Sequence, residues 1–402
     1  MWLASGAEGD GRPSVSDLIG RAAKIAAIAR ERAVETEQAR RVSSDLVAEM
    51  RDADLFRILQ PKRFGGYEYG FDVFVEAVAT VAGGDGSTGW VYSLGAVHQW
   101  LIACFPEDAQ QEVWATNPDA ISAVSYAPTG SSQSVDGGYR ISGRWSFASG
   151  CDNVDWAILG GRIPTGDGGM QPGFFLIPKA QYTIDDDWFT AGLSGTGSKT
   201  IVVDDQFVPA HRAVPFAPLL AGNPPGAQVN RNPLYRLPFL AVVPTCLVGP
   251  ALGMARGARD VFLENVRSRV TRGAVAGDQK QMADFQTIQI RAAEATAAID
   301  AAELLIFRDL RETVEAVTAG ATDHIDLRLR NRRDHAFATR LLMGAVDRLF
   351  EAAGGAGLSS RSPLQRFWRD IHGAGSHISL NGDAVASMYG QHLFGLDPQG
   401  QY

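Results

Sequence analysis

The sequence contains few cysteines, and their spacing fits neither a disulfide framework nor a metal site. The 402 residues include three cysteines, Cys104, Cys151 and Cys246, with no Cys-x-x-Cys pair. Disulfide-stapled proteins and zinc sites use paired or closely spaced cysteines. His372 and His377 are near each other in sequence but lack an accompanying set of cysteine and carboxylate ligands. We therefore predict no metal, and a reducing environment such as the cytoplasm.

Positive charge is also scarce, with 37 Lys and Arg against 45 Asp and Glu and a net charge of -8. Nucleic-acid binding needs clustered basic residues, so we predict no nucleic-acid partner. The N-terminus lacks the basic segment and apolar core of a signal peptide. The uncharged stretch from Leu237 to Ala255 is nearly long enough to cross a bilayer. Because Pro244 and Pro250 interrupt it, we expect a buried helix and no membrane partner.

No Gly-x-Gly-x-x-Gly turn joins a predicted strand to a helix, which disfavours a dinucleotide-binding Rossmann domain. Instead, apolar residues recur at helical spacing up to about residue 115, short β-branched and aromatic runs follow, and helical spacing then returns. We predict an α+β fold with a central β-barrel-like domain between an N-terminal helical domain and a C-terminal four-helix bundle. The expected boundaries are 1–14 for a loose tail, 15–118 for the helical domain, 119–214 for the β-domain, 215–236 for a connector and 237–402 for the bundle, with long helices at 245–270, 279–319, 325–354 and 363–393.

Four short motifs lie at characteristic places in this order of domains. They are Pro61-Lys62-Arg63-Phe64-Gly65-Gly66, the segment RWSFASG at 144–150, Gly195-Thr196-Gly197-Ser198 and Phe367-Trp368-Arg369-Asp370. Together they resemble the motifs of the acyl-CoA dehydrogenase-like superfamily over roughly residues 20–396. The resemblance implies that fold and a flavin cofactor.

One departure from the dehydrogenases concerns the catalytic base. Acyl-CoA dehydrogenases commonly use a glutamate shortly after the Arg-Asp element, but residues 371–381, IHGAGSHISLN, contain no acid. The chain resembles more closely the oxygenase components of two-component flavin monooxygenases, such as the 4-hydroxyphenylacetate and steroid-phenol hydroxylases. The similarity lies in the Arg-Asp-x-His-x4-His element that ends at His377, in His98 on an early helix, and in Ser149.

This resemblance implies a monooxygenase that hydroxylates a small phenol- or indole-like substrate with O2 through a flavin hydroperoxide. Reduced FMN or FAD would come from a separate NAD(P)H-flavin reductase, and the chain would form a homo-oligomer, a dimer or a tetramer. The alternatives are an acyl-CoA dehydrogenase with a relocated base, an N- or S-oxygenase on the same scaffold, and a flavin-free structural partner.

The resemblance also assigns roles to particular side chains. Ser149 would hydrogen-bond the flavin nitrogen next to the peroxide-bearing carbon, since a serine hydroxyl both donates and accepts, and Ser146 is the alternative. Histidine can titrate near neutral pH and can act as a base, which suits His377 on the flavin side and His98 on the substrate side. Whether His372 or His377 faces the flavin is left open.

The predicted site residues fall into three sets. The catalytic set is His98, Ser149 and His377. The substrate-binding set is Trp90 and His98, with the reservation that buried aromatic residues are also ordinary core. The cofactor-binding set is Trp145, Ser149, Gly197, Ser198, Arg269, Arg272 and His377, where the two arginines could equally be solvent-facing residues at a helix C-terminus.

Overall fold

The computed structural model describes residues 11–166, 168–271, 280–322 and 324–401, and its N-terminal part is helical, as predicted. The first two helices begin at serine caps. The hydroxyl of Ser14 accepts from the Asp17 N–H in a reciprocal capping box, and Ser43 caps the second helix. The α-helices of this part are α1 (Val15–Ala39), α2 (Ser44–Asp52), α3 (Phe71–Ala82), α4 (Gly86–Ala103) and α5 (Glu107–Trp114).

Helix α4 is a core helix, because it carries no Asp, Glu, Lys or Arg and most of its side chains are small or apolar. All of its residues except Leu94 are buried, as is typical of a helix without a polar face. The Asp85 carboxylate caps it by accepting from the N–H of Thr88 at 2.8 Å. Since Trp90 and His98 lie on α4, packing of the core fixes both of their positions.

The β-domain is not the barrel-like structure that the sequence predicts. Its strands form two separate four-stranded sheets, ordered β1-β4-β5-β8 and β2-β3-β7-β6, and the apolar faces of the two sheets share one buried cluster. An alternating pattern of apolar and polar residues is compatible with an open sheet or a closed barrel. The local sequence therefore does not determine which strands pair. The strands are β1 (Ser122–Ser125), β2 (Ser131–Val135), β3 (Gly138–Ala148), β4 (Trp156–Pro164), β5 (Met170–Pro178), β6 (Thr183–Asp185), β7 (Lys199–Pro209) and β8 (Ala213–Pro215).

The C-terminal part is helical again, and helices α8 to α11 pack together as a bundle. The prediction of one long helix over 363–393 is wrong in one respect. This segment forms two helices, separated by a break at 376–381 that contains His377. The Asn381 side chain accepts from the N–H groups of Asp383 and Ala384 and thereby starts the second helix. The elements are α6 (Phe216–Leu220), α7 (Phe239–Val242), α8 (Thr245–Ser268), β9 (Val270–Thr271), β10 (Lys280–Gln281), α9 (Gln286–Thr318), α10 (Ile325–Ala353), α11 (Pro363–Gly375) and α12 (Gly382–Leu393).

The uncharged stretch near residue 245 forms a buried helix, as predicted. The segment Phe239–Ser268 is long and apolar enough to cross a membrane, but 89% of its most apolar window is buried inside the protein. It contacts α3, α4, α10 and α11. Its apolar surface is therefore accounted for by contacts within the chain.

Candidate active site

A chain of three hydroxyl groups joins the β-domain to helix α4. The Oγ atoms of Ser149 and Ser198 are 2.6 Å apart, and Ser198 Oγ is 2.6 Å from Thr196 Oγ1. The indole Nε1–H of Trp90 donates to Ser149 Oγ at 3.3 Å. We call Thr196, Ser198 and Ser149 the hydroxyl chain.

The directions of these hydrogen bonds follow from one fixed acceptor. Thr196 Oγ1 lies 2.8 Å from the carbonyl oxygen of Leu193, which can only accept, so Thr196 donates its single proton there. Ser198 must then donate to Thr196, and Ser149 must donate to Ser198. The Ser149 oxygen also accepts from Trp90, which leaves it one lone pair for a further donor. Ser149 is therefore a hydrogen-bond acceptor toward the site.

The backbone around Ser149 is held close to α4 by a glycine. Gly150 has φ of +72°, its N–H donates to the Thr196 carbonyl at 2.9 Å, and an added Cβ would lie 2.9 Å from a methyl carbon of Val91. A side chain at Gly150 would be strained in φ and crowded by α4. This close approach explains why the Ser-Gly pair follows directly after the end of β3.

His377 lies in the break between α11 and α12, with its ring next to Trp90. The ring centroids are 6.1 Å apart, and Nδ1 of His377 accepts from the Ser379 N–H at 3.1 Å. Burial, and then the guanidinium of Arg332, lower the pKa of His377 to about 4. The ring is thus neutral near pH 7. Because Nδ1 is the acceptor, Nε2 carries the proton and is a donor.

His98 has the opposite arrangement of its ring nitrogens. Its Nδ1 lies 2.6 Å from the carbonyl oxygen of Ser122, so Nδ1 carries the proton and donates. Burial lowers the pKa of His98 to about 4, with the hydrogen bond to Ser122 opposing the shift. The neutral ring therefore keeps a lone pair on Nε2. His98 can therefore accept a proton from a ligand, and His377 can donate a hydrogen bond to one.

His372 is oriented differently from His377. Its Nδ1 lies 2.7 Å from the Trp368 carbonyl oxygen, its ring packs on the Trp368 ring, and Nε2 is 3.4 Å from an oxygen of Asp347. These contacts lie on helices α10 and α11. His377, with its ring next to Trp90, is thus the histidine that the fold brings toward the hydroxyl chain.

Four other predicted cofactor contacts lie in different settings. The Trp145 ring is buried in the core between the sheets and donates to the Gly160 carbonyl at 2.8 Å, away from the hydroxyl chain. Gly197 adopts φ of +53° beside Ser198. Arg269 donates to the Ala353 carbonyl at the C-terminal end of α10. Arg272 lies outside the described residues. Contacts of these residues with a cofactor stay predictions.

Sequence reasoning did not single out Arg332. Arg332 is buried on α10, where its Nη1 donates to the Ser379 carbonyl at 3.2 Å. It belongs to an arginine-rich run that looks like a solvated helix face. The available signal was its position three residues after Leu329 and four before Ala336, both buried. That spacing places Arg332 on the core face of the helix.

Asp370 of the Arg-Asp element was also not assigned a site role. It is buried, its Oδ1 accepts from the Leu193 N–H at 2.6 Å, and Oδ2 has no hydrogen-bond partner among the described residues. Burial, and then the nearby carboxylate of Asp85, raise the pKa of Asp370 to about 7. The folded protein thus keeps a proton on Asp370 at a pH where the unfolded chain releases it.

Replacing Asp370 with asparagine is expected to stabilise the protein at alkaline pH. Because the pKa of Asp370 is higher in the folded state, wild-type stability falls as the pH rises from about 4 to about 7 and then stays level. Asparagine keeps the Leu193 contact and cannot ionise. Melting temperatures should show an advantage for Asp370→Asn at about pH 8 that shrinks toward about pH 5. The exposed Asp260→Asn is the control, and a pH-independent difference would contradict the assignment.

Comparison with known proteins identifies the chain over nearly its whole length. It is 44% identical over 391 residues to the FADH(2)-dependent resorcinol hydroxylase oxygenase component of Rhizobium sp. (strain MTP-10005), covering 96% of each chain. The crystal structure of 3-HSA hydroxylase from Rhodococcus sp. RHA1 matches with a TM-score of 0.89 and 39% identity over 96% of this chain and 98% of that one. XiaF from Streptomyces sp., in complex with FADH2 and glycerol, matches with a TM-score of 0.88 and 29% identity over 96% and 97%.

The C-terminal bundle matches a family model as well. Residues 245–382 fit the model described as acyl-CoA dehydrogenase, C-terminal domain. The resemblance that the four motifs and the missing acid indicated is confirmed, both for the fold and for the oxygenase branch. The chain belongs to the oxygenase components of two-component flavin-dependent monooxygenases, which are built on the acyl-CoA dehydrogenase-like fold.

Proposed function

We propose that the chain hydroxylates a small phenol- or indole-like ring with O2 and with reduced FMN or FAD that a separate NAD(P)H-flavin reductase supplies. The observation that carries this proposal is a pair of neutral histidines with opposite tautomers: His98 on α4, and His377, whose ring lies 6.1 Å from that of Trp90, the indole that donates to the hydroxyl chain. Hydroxylation of a phenol needs both a proton acceptor for the substrate and a hydrogen-bond donor for the oxygen. The relative from Rhizobium acts on resorcinol, a phenol, which supports the substrate class.

The hydroxyl chain fits a reduced flavin. Reduced flavin carries an N–H at N5, and Ser149 offers a lone pair because its own proton is directed to Ser198. Ser149 is 8% exposed and Trp90 is 5% exposed, so little water reaches this point. When bound, reduced flavin supplies the two electrons with which O2 is activated. Ser149 and Ser198 would hold its reactive edge.

The two histidines would act on the substrate and on the oxygen. His98 Nε2 would accept the phenolic proton, which increases the electron density at the ring carbons beside and opposite the hydroxyl. His377 Nε2–H would donate to an oxygen atom close to Trp90. Because burial lowers the pKa of both rings, both are neutral between pH 6 and 8 before the reaction, and His98 becomes charged only when it takes the phenolic proton.

A labelling experiment tests the proposed reaction. The purified chain is mixed without oxygen with chemically reduced FMN or FAD, and then with isotopically labelled O2 and resorcinol. We expect a trihydroxybenzene that contains one labelled oxygen atom. If no labelled product forms and an acyl-CoA bleaches bound flavin instead, the chain is a dehydrogenase with a relocated base. Labelled N-hydroxy or S-oxide products, formed from amines or sulfides but not from phenols, would also contradict the proposal.

We also propose that the chain forms a homo-oligomer, a dimer or a tetramer, in the cytoplasm. Large apolar side chains are exposed on the C-terminal helices and just after them, including Leu304, Phe337 and Phe394. Exposed apolar groups of this kind favour association between subunits. The three cysteines are free, which supports a reducing compartment. Light scattering at several concentrations would show the oligomer, and a persistent monomer would contradict it.

A further inference from the structure

Arg332 is a buried cation without an acidic partner. Its residue is 6% exposed, its Nη1 donates to the Ser379 carbonyl, and its Nε has no hydrogen-bond partner among the described residues. No carboxylate among the residues that the structure describes forms an ion pair with Arg332. By contrast, Arg330 and Arg333 on the same helix bind acidic side chains. Buried charges are normally paired, so a buried guanidinium with free donors indicates a missing acceptor.

His335 points to the same missing acceptor. It is fully buried, and neither ring nitrogen has a partner among the described residues. It lies three residues after Arg332 on α10, so the two side chains share one face of the helix. Burial, and then the Arg332 guanidinium, lower the pKa of His335 to about 3. Two neighbouring buried groups thus lack hydrogen-bond partners.

The surroundings of Arg332 connect it to the active site. Ser379 accepts from Arg332 through its carbonyl and donates to His377 through its N–H, so one residue holds both side chains. Arg332 also lies next to an aromatic cluster, because its chain neighbour Asn331 donates to the Ala241 carbonyl of α7 at 3.0 Å, and Phe239 of α7 stacks at 6.2 Å on Tyr126, whose ring lies 5.2 Å from that of Phe216. An aromatic surface and a cation therefore adjoin the His377 turn.

We propose that Arg332 binds a second oxygen substituent of the aromatic substrate, a carboxylate or an acidic hydroxyl, while the ring lies near Tyr126. This rests on the proposed hydroxylation of a phenol and adds the substrate class: rings with two oxygen-bearing groups rather than simple phenols. A guanidinium offers several N–H donors to such oxygens. The aromatic cluster of Tyr126 and Phe239 suits an aromatic substrate, whereas the acceptor that fits flavin N5 is Ser149, beside Trp90.

Paired ligands of equal size test this proposal in the wild-type protein. Binding of resorcinol, 3-hydroxybenzoate and 3-methylphenol is measured by calorimetry with the enzyme in the presence of flavin. Resorcinol and 3-methylphenol differ by a hydroxyl in place of a methyl group. We expect resorcinol and 3-hydroxybenzoate to bind at least about tenfold more tightly than 3-methylphenol. The reason is that a hydrogen bond to a charged group is stronger than one between neutral groups. Equal affinities, or no binding of any of the three, would overturn the proposal.

Substitution of Arg332 provides the second test. Arg332→Met should raise the Kd of resorcinol and 3-hydroxybenzoate by about tenfold or more and leave that of 3-methylphenol within about threefold. Arg332→Lys should retain part of the difference in Kd between the doubly oxygenated rings and 3-methylphenol, because lysine keeps the charge but not the planar donors. Arg348→Gln, which removes a partly exposed cation from the same helix, is the control and should change none of the three.

The outcomes separate this proposal from its alternatives. Equal losses for all three phenols would mean that Arg332 acts only by holding the Ser379 turn, and would overturn it. A loss confined to the affinity for reduced flavin would place Arg332 at the cofactor and would also overturn it. If wild type binds resorcinol selectively but never hydroxylates it, the proposed function fails while the binding role of Arg332 stands. If Arg332→Met does not fold, the wild-type ligand pairs decide the question.

Discussion

Replacing His98 with asparagine is expected to lower kcat/KM for phenol hydroxylation by about 10²- to 10⁴-fold, the usual contribution of a general base. The asparagine side chain can still donate to the Ser122 carbonyl, but it has no basic nitrogen to accept the phenolic proton. His98 Nε2 is available for that proton because Nδ1 is bound to Ser122 at 2.6 Å. The substitution therefore removes the base and retains the buried hydrogen bond.

Product formation and O2 consumption are measured together for the His98 variant. O2 consumption should persist, with hydrogen peroxide released in place of product, because the hydroxyl chain is unchanged. His372→Asn is the matched control, since its ring contacts Trp368 and Asp347 instead of Trp90. Hydroxylation by His98→Asn at the wild-type rate, or an equal loss in His372→Asn, would contradict the role of His98.

The pH dependence gives an independent check on both histidines. Burial keeps the pKa of His98 and His377 at about 4, below the usual histidine pKa of about 6.5. The folded rings stay neutral while the unfolded rings take up protons, so this part of the stability is lost as the pH falls from about 6.5 to about 4. Activity limited by these rings should be level above that range. A steep change in kcat/KM at a pH near 6.5, abolished in His98→Asn, would contradict the buried neutral state.

Replacing Ser149 with alanine is expected to lower the ratio of hydroxylated product to O2 consumed by about 10- to 100-fold, the effect of losing a buried hydrogen bond to a polar or charged group. The substitution removes Ser149 Oγ, which has a lone pair free to accept from the flavin. It also removes the hydrogen-bond partner of the Trp90 indole N–H. With no acceptor for the flavin N–H, hydrogen peroxide should form in place of the product.

Ser146→Ala is the control for Ser149→Ala. Ser146 is the neighbouring serine of the same motif, but its hydroxyl bonds to Thr200 at 2.9 Å and its side chain is exposed. Both variants remove a serine Oγ, at positions that are three residues apart. Hydrogen peroxide release is measured by a peroxidase-coupled assay and the product by chromatography. A larger loss in Ser146→Ala, or a wild-type ratio in Ser149→Ala, would refute the assignment of the acceptor to Ser149.

Local sequence patterns predicted the elements better than their arrangement. Ser43 marks the start of a helix because its hydroxyl satisfies a free backbone N–H, and that requirement is local. The pairing of strands is not local, and the central domain is two sheets where a barrel-like domain was predicted. Trp145 shows the same limit. Its motif does not show where the ring points, and the strand directs the ring into the core between the sheets, while its contact with a flavin stays a prediction.

The sequence by itself determined the flavoenzyme fold, through four ordered motifs, and the oxygenase branch, through the missing acid after Asp370 and the presence of His98, Ser149 and His377. Only the tertiary structure decided the protonation and direction of these groups. The tautomers of His98 and His377 depend on Ser122 and Ser379, and the acceptor state of Ser149 depends on the Leu193 carbonyl. The spacing of Arg332 from Leu329 and Ala336 indicated the core face, but its lack of an acidic partner became visible only in the packed structure. Hydrogen-bond direction and ion pairing depend on neighbours distant in sequence, so no local pattern contains them.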